Sequence, residues 1–351
     1  MMAVGGALIY LAIAKEYEPV LLLPIGAGTI LANIPVTGML EADGIFAVLY
    51  DFGIRNELFP LLIFVGIGAM TDFGPLLERP FTVLLGAAAQ FGIFGTLLVA
   101  ALMGFSIKEA ASIGIIGSAD GPTSIYVASK FAPHLLAPIA VAAYSYMSMV
   151  PIIQPPVMRF LTTGEERRII MPYTERPVSR TTRILFPITT FLIVGLIVPK
   201  ATPLIGMLMF GNLLREAGVV GRLARAAENE LTNLVTIFLG ITIGSTMTAA
   251  GFLNPQTILI FVMGLLAFVM DTAAGVLFGK LVCVVSGKRI NPLIGASGIS
   301  AFPMSARVVQ KVGQEADFNN HLLMHAMGSN TAGQIASVMA GGAVLALLGG
   351  S

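Results

Sequence analysis

One carboxylate lies in a strongly hydrophobic part of this 351-residue sequence. It is Asp120, within residues 117–126 (GSADGPTSIY), where a Gly-Pro pair breaks the helix and hydroxyl side chains follow. In a membrane, non-helical backbone is tolerated only where it is buried in protein or lines a polar cavity, and an ionisable residue at that depth indicates function. The stretch therefore predicts a cation site at Asp120, supported by its neighbours Ser118, Gly121, Pro122 and Thr123.

A second interrupted stretch, residues 291–307, offers the neutral oxygen atoms that such a site needs. They are the amide oxygen of Asn291, the hydroxyl oxygens of Ser297 and Ser300, and backbone carbonyls that glycines such as Gly295 leave outside a regular helix. One carboxylate with neutral oxygens suits a hard monovalent cation, whereas Ca²⁺ favours clustered carboxylates and transition metals favour His and Cys. In the alternative interpretation, Asn291 and the serines only cap broken helix ends.

Four further polar residues lie within apolar segments, and each has a structural alternative. Tyr146 either serves the site or packs in the core with a satisfied hydroxyl group. Asn330 interrupts the last apolar segment at the depth of a polar site, and Asp271 either faces a helix interface or pairs with a nearby lysine. Gln154 is followed by two prolines, which predicts a helix end.

The composition indicates a polytopic, all-α membrane protein. The sequence is 56% hydrophobic and 11% charged, with a mean hydropathy of +0.88, whereas soluble domains are about 25% charged. It contains no basic, aromatic patch that would indicate nucleic acid as a partner. The one cysteine, Cys283, lies in an apolar run, which excludes a disulfide framework within the chain.

Apolar segments predict about ten membrane spans and two interrupted, re-entrant hairpins. The spans cover residues 18–40, 58–78, 81–104, 135–158, 184–199, 200–218, 231–252, 256–279 and 321–349, and the hairpins cover 112–130 and 290–306. Residues 1–14 would rise only about 21 Å as a helix, so segment 1–17 is predicted to be a partial first span. The linker at residues 159–183 divides the chain and contains Arg159, Arg167, Arg168, Arg176, Arg180 and Arg183.

The two halves of the chain repeat. Residues 56–67 and 229–241 each begin with Asn-Glu-Leu and continue as an apolar run, at an offset of 173 to 174. Asp120 and Gly295 each lie forty residues after a proline that begins a span, so the hairpins occupy equivalent places. Such interrupted segments in both halves point to a transporter binding site. We expect one repeat over 18–158, an extra span over 184–199 and a second repeat over 200–351.

Charge counting predicts the orientation of the spans. With the linker in the cytoplasm, 16 of the 20 lysine and arginine residues lie inside, and only Arg55, Lys108, Lys130 and Lys200 lie outside. Hairpin 112–130 then enters from the outer face and hairpin 290–306 from the inner face. The prediction is an inverted repeat whose hairpin tips meet near mid-membrane and, by analogy, an elevator-like architecture.

Several of these motifs, in this order, resemble the membrane β subunit of the biotin-dependent sodium-pumping decarboxylases, which act on oxaloacetate, methylmalonyl-CoA or glutaconyl-CoA. The resemblance is carried by residues 117–124, 144–146, 151–156, 211–216, 291–295 and 305–311, and it covers nearly the whole chain from about Leu11. The chain is more similar to the shorter acyl-CoA-type subunits, and it starts later than family members usually do.

The resemblance implies a subunit of the cytoplasmic membrane that decarboxylates carboxybiotin, consumes a proton and exports Na⁺. Asp120 would hold Na⁺ and take part in the reaction, Tyr146 would handle ion and proton, and Arg307 would bind carboxybiotin. Further Na⁺ ligands would be Asn291, Gly295, Ser300 and Asn330.

The resemblance also implies partner subunits. A carboxyltransferase (α) subunit would move CO₂ onto biotin on a carrier, so carboxybiotin is presented to this chain and not attached to it. A small single-span γ- or δ-type subunit and further β copies, a trimer in preference to a dimer, would complete the complex.

Two other functions stay open. A stand-alone Na⁺-coupled carboxylate transporter would have the same repeats and hairpins, but it would work without a biotinylated partner. A purely structural membrane anchor would keep Na⁺-dependent decarboxylation after Asp120→Asn. The acyl substrate cannot be read from this chain, because that site would lie on another polypeptide.

Overall fold

The computed structural model describes residues 1–172 and 177–349, and every regular element in them is helical. The predicted all-α fold is confirmed for this part of the chain. Arg176 of the predicted linker and the last two residues of the predicted second repeat lie outside the described residues.

The α-helices are numbered here in chain order. Those of the first half are α1 (Met2–Ala14), α2 (Pro19–Ala32), α3 (Ile45–Leu49), α4 (Leu58–Met70), α5 (Gly74–Glu78), α6 (Thr82–Ala89), α7 (Phe91–Leu102), α8 (Ile107–Gly114), α9 (Gly121–Phe131), α10 (Leu136–Ser148) and α11 (Val150–Leu161). Those of the second half are α12 (Gly164–Arg167), α13 (Arg180–Ile197), α14 (Thr202–Ala217), α15 (Gly221–Ala226), α16 (Thr232–Ser245), α17 (Ala249–Phe252), α18 (Pro255–Val285), α19 (Met304–Ala316) and α20 (Leu323–Leu348).

Four helical segments of the described chain are long and apolar enough to cross a membrane: Thr82–Leu102, Arg180–Ile197, Pro255–Val285 and Leu323–Leu348. Two bent helix pairs raise the number to six. Helices α2, α14 and α16 have only 14, 16 and 14 residues, or roughly 21–24 Å of rise against a hydrocarbon core of about 30 Å. A membrane protein is therefore supported, and ten spans stay a prediction.

The break within segment 135–158 differs from the prediction. The sequence predicts a helix end at Gln154, but α11 continues through the two following prolines. The chain bends by 67° at Met149 instead, just before Pro151. A proline in the first turn of a helix removes an N–H that has no partner there, so the bend is favourable at this place. Gln154 is fully buried, and its amide donates to the carbonyl of Ala296 at 2.9 Å.

The helices pack as two groups. One group contains α1, α2, α4, α13, α14 and α16; the other contains α6 to α11 and α18 to α20 with both hairpins. In the first group, α4 and α14 are in close backbone contact at Gly68. A methyl group on Gly68 would lie only 1.8 Å from the carbonyl oxygen of Leu208, so there is no room for a side chain. Packing contacts run mainly within each group, and α4–α9 and α14–α20 are among the pairs that join them.

Neither predicted hairpin is α-helical at its centre. The first has a 3₁₀ turn at Ile115–Ser118 and a left-handed Ala119 (φ 53°) between α8 and α9. The second has a 3₁₀ turn at Pro292–Gly298 and enters α19 after an irregular segment. The tips meet, because the Ser300 N–H donates to the carbonyl of Ser118 at 2.8 Å.

Charged side chains gather at the two ends of α20. Lys108, Lys130 and Lys200, which charge counting places outside, line one small pocket with residues at the C-terminal end of α20. Arg167 of the linker lies at the N-terminal end, where its carbonyl accepts from Asn320 at 2.8 Å. The structure thus separates the predicted outer lysines from the linker by the length of a 26-residue helix.

Candidate functional site

The Asp120 carboxylate is surrounded by neutral donors. Its Oδ2 accepts from the hydroxyl groups of Thr123 and Ser337, each at 2.7 Å, and from Ser300 at 3.4 Å. Its Oδ1 accepts from the backbone N–H of Thr123 at 3.1 Å. Asp120 is only 4% exposed, and it forms no ion pair with a lysine or arginine of the described chain.

The local sequence explains where this carboxylate points. Asp120 is the N-cap of α9, and Gly121 and Pro122 form the first turn. Aspartate is a favoured N-cap because its carboxylate accepts from the N–H groups of the first turn, and proline suits the position that needs no N–H. The left-handed Ala119 turns the chain out of the preceding 3₁₀ segment. The cap therefore fixes Asp120 at the tip of the hairpin.

One face of α20 completes the site from the other side. Ser337 donates to Asp120 and also lies 3.2 Å from the Ser300 hydroxyl. Gln334 donates to the carbonyl of Ser300 at 2.5 Å, and Asn330 donates to that of Ile299 at 2.7 Å. These bonds hold the tip of the second hairpin against Asp120.

Sequence reasoning missed Ser337 and Gln334. With Asn330 they stand at positions i, i+4 and i+7, a spacing that places all three on one face of a helix. This spacing was a usable signal of a polar face within an apolar segment. What it could not indicate is that this face contacts both hairpins.

Asn291 and Ser297 do not contact Asp120. The Asn291 amide donates to the carbonyls of Arg167 and Ile169 at 3.0 and 2.9 Å, and its oxygen caps the following 3₁₀ turn. The Ser297 hydroxyl donates to the carbonyls of Ile294 and Ala326. The Asn291 geometry matches the capping interpretation, whereas Ser297 caps no helix end. The ligand role of Asn291 and the supporting role of Ser297 stay predictions.

Three further predicted site residues also lie apart from Asp120. Tyr146 donates its hydroxyl to the carbonyl of Phe261 in α18. Gly295 lies against the backbone of Gly275, also in α18. Arg307 is exposed on α19 and forms no ion pair within the described chain.

A second buried carboxylate, Asp271, bonds a backbone N–H and not a lysine. Its Oδ1 accepts from the backbone N–H of Ile93 at 3.2 Å, and Oδ2 has no hydrogen-bond partner among the described residues. Lys280 instead donates to the carbonyl of Leu161 and pairs with Glu166 at 3.4 Å. Pairing of Asp271 with a nearby lysine is therefore wrong.

A cavity of about 410 Å³ adjoins Asp120. It lies between the two helix groups: Ile67 and Thr236 line it from the first, and Asp120, Tyr144 and Ser300 from the second. The Tyr144 hydroxyl is buried and has no hydrogen-bond partner among the described residues. A single carboxylate with neutral oxygens, reached through such a cavity, can exchange a monovalent cation for a proton.

The described residues contain no group of three or more His, Cys, Asp or Glu side chains arranged to hold a metal ion. Among the described residues, the groups that contact the Asp120 carboxylate are hydroxyls and one backbone N–H in place of further carboxylates. Neutral oxygens with one negative charge balance a monovalent cation, whereas a divalent ion favours more carboxylates.

Several known proteins resemble this chain over nearly its whole length. Residues 1–348 match the family described as "Na⁺-transporting oxaloacetate decarboxylase beta subunit". The glutaconyl-CoA decarboxylase subunit beta of Acidaminococcus fermentans is 57% identical over 350 residues, 100% of this chain and 93% of its own length. The methylmalonyl-CoA decarboxylase subunit beta of Veillonella parvula is 56% identical, covering 99% of this chain and 92% of its own.

The oxaloacetate decarboxylase beta chain of Klebsiella pneumoniae is 48% identical, over 98% of this chain and 94% of its own length. Each of these relatives is thus the β subunit of a decarboxylase, and the three decarboxylases are named for different substrates. The family match over residues 1–348, with these identities, confirms the resemblance: the chain belongs to the Na⁺-transporting oxaloacetate decarboxylase β-subunit family.

Proposed function

We propose that this chain removes CO₂ from carboxybiotin presented by a partner subunit, takes up a proton and exports Na⁺ across the cytoplasmic membrane. The observation that carries the proposal is the Asp120 carboxylate, which is buried, open to a cavity and contacted by neutral donors alone among the described residues. Membership of a Na⁺-transporting family supports Na⁺ as the cation.

The coupling follows from the cost of a buried charge. An ionised carboxylate at this depth is stable only with a counter-ion, so Asp120 binds either Na⁺ or a proton. The hydroxyl oxygens of Thr123, Ser300 and Ser337 retain free lone pairs and can serve as Na⁺ ligands. The amide oxygen of Asn330, buried without a partner among the described residues, is a further candidate ligand. Release of Na⁺ to the outside then leaves Asp120 ready to accept the proton that decarboxylation consumes.

Alternating access would come from motion of the hairpin group against the other helices. The cavity between the two groups supports such an elevator-like motion. The predicted inverted repeat is supported by two π-helical turns, Tyr50–Arg55 and Ala227–Leu231, which precede α4 and α16 in corresponding places. The separation of the outer lysines from Arg167 along α20 supports the orientation with the linker in the cytoplasm.

The partners follow from the same proposal. A carboxyltransferase (α) subunit and a biotin carrier would act at the cytoplasmic end, where Arg307 is exposed on α19. Tyr146, bonded to α18, would assist proton transfer, while Asn291 and Gly295 would hold the second hairpin in place. A small single-span subunit and a β trimer would complete the complex.

The test uses the purified complex in proteoliposomes. We expect decarboxylation of carboxybiotin to require Na⁺ and to drive Na⁺ uptake into vesicles whose cytoplasmic face points outward. Decarboxylation at the same rate without Na⁺ would contradict the proposal. Carboxylate transport by this chain alone, without a biotinylated carrier, would instead identify a stand-alone secondary transporter.

Ser337→Ala tests the contribution of α20 to the cation site. We expect the KM for Na⁺ to rise about tenfold or more, because a hydrogen bond to a charged group contributes about 1.5–3 kcal/mol and the same oxygen would be a ligand. The measurement is the Na⁺ dependence of decarboxylation. Ser112→Ala is the matched control, since the hydroxyl of this buried serine bonds, among the described residues, only the carbonyl of Lys108 on its own helix. Equal effects of the two changes would argue against a role for Ser337 at the site.

Arg307→Ala tests carboxybiotin binding. We expect the KM for the carboxylated carrier to rise about tenfold, because a guanidinium binds a carboxylate through two parallel hydrogen bonds, while the KM for Na⁺ stays unchanged. Lys311→Ala removes an exposed charge one turn along the same helix and serves as the control. A change in the KM for Na⁺ alone would place Arg307 at the cation path and not at carboxybiotin.

A further inference from the structure

The cavity beside Asp120 is lined by a second carboxylate. Glu18 lines it from the position just before α2, together with Val20. Val20 is 57% exposed, whereas Asp120 is 4% exposed. Glu18 itself is half-buried, so the cavity leads from a partly accessible mouth at Glu18 to the buried site at Asp120.

The walls between the two carboxylates suit a cation. The polar side chains along them are hydroxyls, from Thr71, Thr236 and Tyr144 among others, and the amide of Gln334, while no lysine, arginine or histidine of the described chain lines the cavity. The Tyr144 hydroxyl, buried and without a described partner, is free to bind a passing ion or its water. Apolar walls with one sign of charge focus the electric field and raise the local concentration of the opposite ion.

The mouth lies at the end of the molecule where the arginines cluster. Arg215 donates to the carbonyl of Met70, a residue that lines the cavity, and Arg183 pairs with Asp72 at 3.2 Å. These two arginines are matched in charge by Asp72 and Glu216. Glu18 forms no ion pair within the described chain, so the mouth keeps its negative charge.

We propose that Glu18 collects the monovalent cation at the mouth of this cavity and delivers it, past the Tyr144 hydroxyl, to Asp120. The inference rests on the proposed function, in which this end faces the cytoplasm and Na⁺ enters from it. The negative mouth also keeps the carboxylate of carboxybiotin out of the cavity, so ion entry and decarboxylation use separate approaches. Glu18 is a positioning residue: it changes how readily Na⁺ reaches Asp120, not the reaction itself.

The experiment measures decarboxylation by the purified complex as NaCl is varied, with choline chloride keeping the ionic strength constant. For Glu18→Gln we expect the KM for Na⁺ to rise about tenfold, the lower end of electrostatic focusing effects, with kcat within about twofold. Glu16→Gln is the matched control, because Glu16 is exposed two residues away, carries the same charge and does not line the cavity. The KM of Glu16→Gln for Na⁺ is expected to stay within about twofold of the value for the natural chain.

Two further measurements separate charge from structure. Adding a carboxylate at the exposed mouth, Val20→Glu in the Glu18→Gln background, should lower the KM for Na⁺ again. Raising choline chloride should increase the KM of the natural chain more than that of Glu18→Gln, because salt screens the charge. An unchanged KM for Glu18→Gln, an equal effect of Glu16→Gln, or no rescue by Val20→Glu would overturn the inference. If decarboxylation by the natural chain needs no Na⁺, the proposed function itself fails.

Discussion

Replacing Asp120 by asparagine is expected to lower Na⁺-dependent decarboxylation of carboxybiotin at least about a hundredfold. Removing one partner of a desolvated charge interaction costs about 2–5 kcal/mol, and among the described residues Asp120 is the only carboxylate that accepts from Ser300 and Ser337. The change should leave the fold intact. Asparagine keeps the oxygen that accepts from the Thr123 N–H, and the neighbouring hydroxyls can rotate to accept from its amide.

The measurement is the rate of carboxybiotin decarboxylation at saturating Na⁺, together with the amount of assembled complex. Asp317→Asn is the control, because that carboxylate also accepts a backbone N–H, from Asn319 at 3.0 Å, but lies near the surface. Asp120→Glu keeps the charge and lengthens the side chain, so we expect a partial loss only. Full Na⁺-dependent activity of Asp120→Asn would leave this chain as a structural anchor for the enzyme.

Much of this site was accessible from local sequence. The Gly121-Pro122 pair after Asp120 breaks the helix, and the glycine- and serine-rich stretch before Arg307 does the same in the second half. Charge counting brings the two breaks toward each other from opposite faces. In the structure the tips do meet, through Ser300 and Ser118. Local backbone chemistry and charge asymmetry sufficed here, because both act over short stretches of chain.

The rest of the site depends on which helix faces meet. Ser337 lies in an apolar segment, and only packing of α20 against both hairpins brings its hydroxyl to Asp120. Tyr144 and Tyr146 are two residues apart on one helix, yet only Tyr144 lines the cavity, while Tyr146 bonds α18. Asn291 is another example, since its partners are carbonyls of the linker more than a hundred residues earlier. Rotation of a helix about its axis is decided by its neighbours, so composition could not predict these contacts.

Gly295→Ala is expected to reduce the amount of folded complex strongly, with a smaller effect on Na⁺ affinity in any complex that forms. A methyl group on Gly295 would lie 2.0 Å from the carbonyl oxygen of Gly275 and 2.7 Å from its carbonyl carbon. Both atoms belong to the backbone of α18, so no side chain can move away. Overpacking of this kind costs about 1–3 kcal/mol or more, and here the hairpin must shift off α18 to relieve it.

The same substitution separates two roles for Gly295. As a Na⁺ ligand, Gly295 would act through its carbonyl oxygen, which alanine retains. As a packing residue, it must have no side chain, because α18 lies directly against it. Gly206→Ala is the matched control, because a methyl group there meets no atom within 4 Å in a helix of the same fold. Thermal unfolding of the complex and its yield should fall for Gly295→Ala and stay level for Gly206→Ala. A Gly295→Ala complex of normal stability with a raised KM for Na⁺ would contradict this prediction. Glycine would then be needed at position 295 for the hairpin geometry around the ion, and not for the contact with Gly275.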